Sequence, residues 1–240
     1  MEARIRGMDF AGVTALSFDC YGTLIDWETG IVEAVARLHP GVTLDSERVL
    51  AAYAAAEAPI EREHPRLAYS ALVERAYAEL ARRLNLPFSA DHARRFARSI
   101  GDWPPFADSP AALAALAKRF MLVVLSNVDR ESFARSEKRL GVTFDRVFTA
   151  EDVGSYKPDR RNFEYMLERL GRGGIVPGAL VHVAQSRYHD IEPAKALGLR
   201  AVWVDRRYGR AGWGATPPPS GGAEPDLTVR SLAEFAEIVL

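Results

Sequence analysis

Residues 13–19 read VTALSFD, a short apolar run that ends in an aspartate. Four more runs have this form, namely Met121–Leu125, the weaker Val147–Thr149, Leu180–Val183 and Ala201–Val204. Short apolar runs separated by helical patterns are typical of buried strands in a parallel sheet. The sequence therefore predicts an α/β fold, a Rossmann-like parallel sheet with helices on both faces.

The segments between these runs carry helix start and stop signals. Ser109 precedes a proline and begins an alanine-rich helix, and Asp129 caps another helix that ends before Gly141. The last segment, Leu227–Leu240, is typical of a strand followed by a helix. His182 falls inside the fourth apolar run, so we expect it to be a hydrogen-bonded core residue.

One long segment interrupts the alternation of strands and helices. From about Ile31 to Ile100 the pattern is only helical, with Pro59 and Pro65 as helix breakers. We expect this segment to form an all-helical cap, inserted after the first strand, over the sheet edge where open α/β sheets bind ligands. The predicted boundaries are a core of residues 1–27 and 104–240 and a cap of residues 28–103.

The composition excludes several classes of protein. The chain has 240 residues, of which 48% are hydrophobic and 26% charged, and its net charge of −1 argues against binding to nucleic acid or to an anionic membrane. A single cysteine excludes a disulfide framework and a cysteine-rich zinc site. No apolar stretch is long enough to span a membrane, and the charged start lacks the pattern of a signal peptide. We therefore expect a soluble, cytoplasmic protein.

Polar residues stand where the predicted strands end. Asp19 follows the first run, Ser126 and Asn127 follow the second, and Lys157 and Asp190 lie in later loops. Each has an ordinary interpretation: a carboxylate that caps a turn or helix, or a lysine on the surface. Together they predict a ligand site, because the carboxyl ends of parallel strands meet at one edge of the sheet.

These residues carry a resemblance to a known family. The segments Asp19–Asp26 (DCYGTLID), Leu125–Asn127, Tyr156–Asp159 and Ser186–Asp190 resemble the four ordered motifs of the haloacid dehalogenase superfamily. In that family the first aspartate attacks the substrate and forms an aspartyl ester, which water then hydrolyses. Such covalent catalysis divides one difficult step into two easier ones.

Two positions distinguish the branches of this superfamily. The phosphatase branch has a second aspartate where this chain has Tyr21, and an aspartate before the fourth-motif serine where this chain has Gln185. Loss of both carboxylates removes a Mg²⁺ ligand and the proton donor for a leaving alcohol. We therefore expect no metal and no other cofactor.

The chain resembles instead the L-2-haloacid dehalogenases, which displace a leaving group from the carbon next to a carboxylate. The resemblance implies that Asp19 attacks this carbon with inversion, that Lys157 offsets the charge of Asp19, and that Asp190 places or deprotonates the water. Thr23, Ser126 and the backbone after Asp19 then hold the substrate carboxylate. The residues expected to bind substrate are Cys20, Tyr21, Asn127, Trp27, Tyr53, Glu57, Gln185 and Arg187.

One departure from the dehalogenases concerns the leaving group. Those enzymes bind the halide with a cap arginine, but the corresponding segment Leu50–Ala58 contains Tyr53 and no arginine. Because one lysine cannot balance two aspartates and a substrate carboxylate, we expect a further cation near the site. The candidates are Arg187 from the core and Arg62 from the cap.

A closer resemblance within this branch is to the azetidine-2-carboxylate hydrolases. It rests on residues 18–30, 153–158, 188–190 and 208–216. Those enzymes open a strained ring, and a ring nitrogen needs a proton rather than a halide site. The candidate proton donors or carboxyl partners of the amine are Tyr53, Glu57, Glu61, Trp27 and His189.

The main functional hypothesis is metal-free hydrolysis of a small 2-substituted carboxylic acid. The alternatives are azetidine-type ring opening, a Mg²⁺-dependent phosphatase and a carboxylate-binding protein without turnover. The expected partners are the small carboxylate and water, with no nucleic acid and no membrane. A homodimer is a family-level expectation only.

Overall fold

A computed structural model describes residues 8–240; residues 1–7, the charged start of the predicted core segment, lie outside the described part. Six strands pair in parallel within one sheet, and their bounds are Ala15–Phe18 (β1), Met121–Ser126 (β2), Arg146–Thr149 (β3), Leu180–Ala184 (β4), Arg200–Val204 (β5) and Leu227–Val229 (β6). Their order across the sheet is β3-β2-β1-β4-β5-β6. The predicted parallel α/β fold is confirmed, and β1 lies at the switch point of a doubly wound sheet.

Helices connect the strands. Their bounds are Trp27–Leu38 (α1), Ser46–Glu63 (α2), Tyr69–Arg83 (α3), Ala90–Ser99 (α4), Ser109–Leu116 (α5), Arg130–Leu140 (α6), Ala150–Val153 (α7), Arg161–Arg172 (α8), Glu192–Ala196 (α9) and Leu232–Val239 (α10). The side chain of Asp129 caps α6 by accepting a hydrogen bond from Ser132 N, and Gly141 ends that helix in the left-handed region. Within residues 8–240, no helix combines the length and the apolar character that a bilayer crossing requires.

Successive side chains of a strand point to opposite faces of the sheet. In this sheet, apolar and buried side chains lie on both faces. Leu16 and Phe18 of β1 belong to one hydrophobic cluster, which includes residues of α5, α6 and α10. Ala15 belongs to the other cluster, with Phe163 and Met166 of α8 and residues of α9. Helices therefore cover both faces, as the continuous apolar runs predicted.

The segment between β1 and α5 is helical, as its periodicity predicted, and contains α1 to α4. The expectation that Pro59 breaks a helix is wrong, because α2 continues through it to Glu63. A proline removes one backbone hydrogen bond, and the buried face of α2 continues past it to Glu61. Whether residues 28–103 form a separate cap stays a prediction.

Candidate active site

The candidate site lies at the carboxyl edge of the three central strands. Asp19 follows β1, Ser126 ends β2 and Gln185 follows β4, and β1 pairs with both of the other strands. Lys157 comes from the loop between α7 and α8. The connections of the sheet thus bring together residues that lie far apart in the sequence.

Lys157 is the centre of this cluster. Its side chain is 1% exposed, and Nζ donates hydrogen bonds to Asp19 Oδ1 (2.9 Å), to Asp190 Oδ1 (2.6 Å) and to the carbonyl oxygen of Leu125 (2.8 Å). An ammonium group has three hydrogens, so all of its donors are used. The lysine therefore fixes both aspartates relative to the end of β2.

The loop after β1 orients the other oxygen of Asp19. Thr23 Oγ1 donates to Asp19 Oδ2 (2.8 Å) and accepts from the backbone N–H of Gln185 (2.9 Å). Gly22 makes this turn possible with φ of +92°, and a Cβ there would lie only 2.9 Å from Trp27 Nε1. Both oxygens of Asp19 are consequently held by fixed donors.

Asp190 lies on one irregular helical turn, Arg187–Ile191, directly before α9. Its Oδ1 also contacts His182 Nε2 (3.0 Å), and His182 Nδ1 contacts Ser17 Oγ (2.9 Å). His182 is therefore the hydrogen-bonded core residue that the sequence predicted, but it also contacts the site. The other oxygen, Asp190 Oδ2, is buried and has no hydrogen-bond partner among residues 8–240.

The two aspartates differ in their pKa values because their surroundings differ. Burial raises the pKa of Asp19 against the opposing effect of Lys157, and the charge of Asp190 raises it further. Burial alone would also raise the pKa of Asp190, but Lys157 and His182 outweigh it and hold that pKa below its ordinary value. Burial opposes the charge of Lys157, yet the two carboxylates raise the pKa of its ammonium. A protonated lysine thus lies beside a poorly solvated carboxylate.

A second pair of carboxyl groups faces this cluster from α2. Glu57 and Glu61 are 6% and 7% exposed and line the same cavity as Asp19. Glu57 Oε1 accepts a hydrogen bond from Tyr53 (2.7 Å), and Glu61 Oε1 accepts one from Asn127 Nδ2 (3.0 Å). Burial and the nearby Glu61 raise the pKa of Glu57 well above its ordinary range. This wall of the cavity is acidic.

Most of the residues predicted for the site line one small cavity of about 40 Å³. They are Asp19, Tyr21, Trp27, Glu57, Ser126, Asn127, Lys157, Gln185 and Asp190, together with the candidate donors Glu61 and His189. Thr23 lies behind Asp19 and supports it. Cys20 is fully buried beside the strand end, and burial raises the pKa of its thiol well above the ordinary value.

Like Thr23 and Cys20, three further predicted residues do not line the cavity. Tyr53 lies behind Glu57 and donates a hydrogen bond to it, and only Glu57 of the two lines the cavity. The prediction for Arg187 needs correction: its guanidinium donates to the carbonyl oxygen of Ala223 and lies over the ring of Trp203. Its neighbours on the same turn face the cavity, and the turn directs the arginine away from it. Arg62 lines a neighbouring cavity with Arg161 instead.

The structure also adds cavity residues that sequence reasoning did not assign. They are Tyr69, Val128, Ser186 and Thr216. Tyr69 is the first residue of α3 and reaches the cavity. Thr216 Oγ1 donates to Gln185 Oε1 (3.3 Å), and only its place in the 208–216 segment hinted at a role.

Comparison with known proteins identifies the family. The family model described as haloacid dehalogenase-like hydrolase matches residues 13–198, well over half of the chain. The chain belongs to the haloacid dehalogenase-like hydrolases. The predictions of the superfamily and of a hydrolase are thereby confirmed.

Relatives in this family differ in how much of the chain they match. The chain is 25% identical over 232 residues to (S)-2-haloacid dehalogenase H-109 of Pseudomonas putida, covering 95% of the chain and 98% of that protein. It is 30% identical over 146 residues to a phosphoserine phosphatase of Thermus thermophilus, but this match covers 59% of the chain and 54% of the phosphatase. The L-2-haloacid dehalogenase structure from Xanthobacter autotrophicus has the same fold, with a TM-score of 0.78 at 21% identity, covering 95% of the chain and 98% of that structure.

The side chains of this haloacid dehalogenase-like site differ from the donor set of Mg²⁺, the ion that phosphatases of this superfamily use. Mg²⁺ prefers carboxylate and water oxygens in octahedral geometry. Within the described part, no three His, Cys, Asp or Glu side chains are placed to hold a metal together. Tyr21 directs its hydroxyl to Ser136 Oγ (2.7 Å), and the ammonium of Lys157 contacts both aspartates. The residues present therefore do not fit the ion.

Proposed function

We propose that this haloacid dehalogenase-like hydrolase acts on small carboxylic acids that carry a leaving group at C2, through an ester on Asp19 and without metal. The observation that carries the proposal is the buried Lys157, which bridges Asp19 and Asp190. It supplies beside the nucleophile the positive charge that a metal ion supplies in phosphoryl transfer. The full-length match to a 2-haloacid dehalogenase supports the same class of substrate.

In the first step, an oxygen of Asp19 forms a bond to C2 as the bond from C2 to the leaving group breaks. The electron pair of that bond goes with the leaving group, and attack from the opposite side inverts C2. The Ser126 hydroxyl and the backbone N–H groups of Cys20 and Tyr21 hold the substrate carboxylate. A carboxylate held by Thr23 and Lys157 meets the substrate in a fixed orientation, which lowers the entropic cost of attack.

In the second step, water attacks the carboxyl carbon of Asp19 and the 2-hydroxy acid departs with the original aspartyl oxygen. Asp190 Oδ2 takes the proton of this water and passes it to the departing hydroxyl oxygen, since Lys157 and His182 both bind the other oxygen of Asp190. The low pKa of Asp190 keeps it ionised and ready to orient the water.

The test is a single turnover of 2-chloropropionate in water enriched in ¹⁸O, with excess chelator present. We expect one ¹⁸O atom in the peptide that contains Asp19 and unlabelled oxygen in the 2-hydroxy acid. Label in the product but not in Asp19 would contradict the covalent step. Chelator-sensitive release of phosphate from a phosphomonoester would favour the phosphatase alternative, and binding without product would favour a carboxylate-binding protein.

A second candidate function is the opening of an azetidine-2-carboxylate ring. The observation that favours it is the acidic wall formed by Glu57 and Glu61, together with the absence of arginine among the described residues that line the cavity. Buried carboxyl groups are favourable neighbours for a substrate ammonium group and unfavourable ones for a departing halide.

Glu57→Gln is expected to affect an amine substrate selectively. A charge-assisted hydrogen bond contributes about 1.5–3 kcal/mol, so kcat/KM for azetidine-2-carboxylate should fall about tenfold or more. For 2-chloropropionate we expect a change below about threefold, because that substrate has no ammonium group. Steady-state kinetics on both acids provide the measurement, with Glu63→Gln on the exposed side of α2 as the control. An equal loss on both substrates would count against amine recognition.

A further inference from the structure

His189 offers a free nitrogen to the cavity that the covalent scheme leaves unused. Its side chain is 11% exposed, and Nε2 is buried without a hydrogen-bond partner in the part of the chain that the structure describes. Ser186 Oγ accepts from the backbone N–H of His189 (2.9 Å) and contacts Nδ1 (3.1 Å). The serine therefore fixes the ring with Nδ1 toward itself and leaves Nε2 for another group.

Glu61 lies near His189 Nε2 without a hydrogen bond to it. Glu61 Oε2 is 3.7 Å from His189 Nε2, beyond the length of a good hydrogen bond. Asn127 Nδ2 holds the other glutamate oxygen at 3.0 Å. Nε2–H stays available to a bound molecule.

The charges around His189 disfavour an anion in this part of the cavity. The titratable groups that face the same cavity are Asp19, Tyr21, Glu57, Glu61, Tyr69, Lys157 and Asp190. Lys157 is committed to the two aspartates, so it is not free to bind an anion beside the glutamates. A leaving atom that takes up a proton carries no negative charge next to these carboxyl groups.

We propose that His189 is the acid that protonates the leaving atom, and that the substrates are 2-substituted acids whose leaving atom is oxygen. This inference rests on the ester chemistry of Asp19 proposed above. As the bond between Asp19 and C2 forms and the bond from C2 to the leaving atom breaks, the electron pair moves to that atom and the proton on Nε2 joins it. The neutral imidazole regains a proton from solvent before the next turnover.

Two probe substrates separate protonation of the leaving atom by His189 from the attack of Asp19 on C2. The ring oxygen of oxirane-2-carboxylate needs a proton to leave, whereas the chloride of 2-chloropropionate needs none. General acid catalysis contributes about 10²–10⁴-fold, so His189→Gln should lower kcat/KM for the oxirane by about 100-fold or more. The same variant should lower kcat/KM for the chloro acid much less, so the ratio of kcat/KM for the oxirane to that for the chloro acid should fall by about tenfold or more.

The pH profiles give a readout that a structural role would not change. In the wild type, kcat/KM for the oxirane should fall as pH rises, because general acid catalysis needs a protonated acid, and the chloro acid should lack this fall. His189→Gln should abolish the fall for the oxirane. His64→Gln, at an exposed histidine just after α2, is the matched control and should leave both profiles unchanged.

The outcomes distinguish this inference from the function on which it rests. Two results support it: a larger loss of kcat/KM for the oxirane than for the chloro acid in His189→Gln, and a fall of kcat/KM with rising pH for the oxirane alone. Label in Asp19 with no turnover of the oxirane, or equal profiles for the two substrates, overturns the role of His189 alone. If neither acid labels Asp19, the proposed function fails and this inference fails with it. Should His189→Gln not fold, the wild-type profiles still decide.

Discussion

Replacing Asp19 with asparagine is expected to abolish turnover and to raise thermal stability. A carboxamide is not a competent nucleophile, and loss of a residue that acts covalently lowers kcat by at least about 10⁴-fold. The side chain keeps its shape, so the amide oxygen still accepts from Lys157. The loss therefore measures chemistry rather than collapse of the site.

The gain in stability follows from the raised pKa of Asp19. A carboxyl whose pKa is higher in the folded state favours folding when protonated, and this contribution is lost as pH rises through the folded pKa. At neutral pH the wild type therefore bears the cost of a buried charge, and asparagine does not. The melting temperature of Asp19→Asn should exceed that of the wild type at pH 7, and the gap should shrink near pH 4.

Product formation and calorimetric melting of the two proteins check this prediction together. The matched control is Asp9→Asn at an exposed aspartate, which should change kcat by less than about twofold. Residual turnover of the Asp19 variant above about one per cent of wild type would contradict a nucleophile at this position, on the scale expected for covalent catalysts.

Replacing Lys157 with methionine is expected to cost both activity and stability. Removal of one partner from a buried ion pair destabilises by about 3–5 kcal/mol, and here two carboxylates lose the same cation. Without the ammonium the pKa of Asp19 rises further, so less of the nucleophile is ionised. We expect kcat to fall by at least about 10³-fold.

The stability cost should depend on pH in a defined direction. The lowered pKa of Asp190 contributes stability above the unfolded value of 3.8, and this contribution is lost as pH falls through the folded pKa. Lys157 itself, with a raised pKa, contributes below the unfolded value of 10.5. The difference between wild type and Lys157→Met should therefore be largest near neutral pH and decrease below about pH 4.

Urea unfolding at several pH values measures this cost. Lys118→Met, at an exposed lysine after α5, is the matched control and should stay within about 0.5 kcal/mol of wild type. The double variant Asp19→Asn with Lys157→Met should recover part of the lost free energy of unfolding, because one of the two unpaired carboxylates is gone. A cost that does not change with pH would contradict the electrostatic explanation.

The sheet could be predicted because its strands are buried on both faces. Such strands need continuous apolar runs, and the runs at 13–18, 121–125 and 180–183 match β1, β2 and β4 closely. Pro59 shows where local reasoning failed. The helix α2 continues through Pro59 because burial of one of its faces stabilises it. That burial depends on tertiary packing, which the local sequence does not show.

The candidate site could be predicted only in part. Motif spacing pointed to Asp19, Lys157 and Asp190, and the structure brings all three together through one ammonium group. Spacing did not predict where the side chain of Arg187 points. Arg187 lies three residues before Asp190, but its guanidinium donates to the carbonyl oxygen of Ala223. Side-chain direction on an irregular turn depends on what packs around it, and a sequence pattern does not contain that information.

The sequence by itself determined the parallel sheet, the helical insert and the polar residues at the strand ends, because burial and strand direction impose a pattern on neighbouring residues. Tertiary structure alone decided that Glu57 and Glu61 share a cavity with Asp19 and that His189 directs a free nitrogen into it. Electrostatic interactions depend on distance and burial, and here they arise between groups that lie far apart in the chain, such as Glu61 and His189.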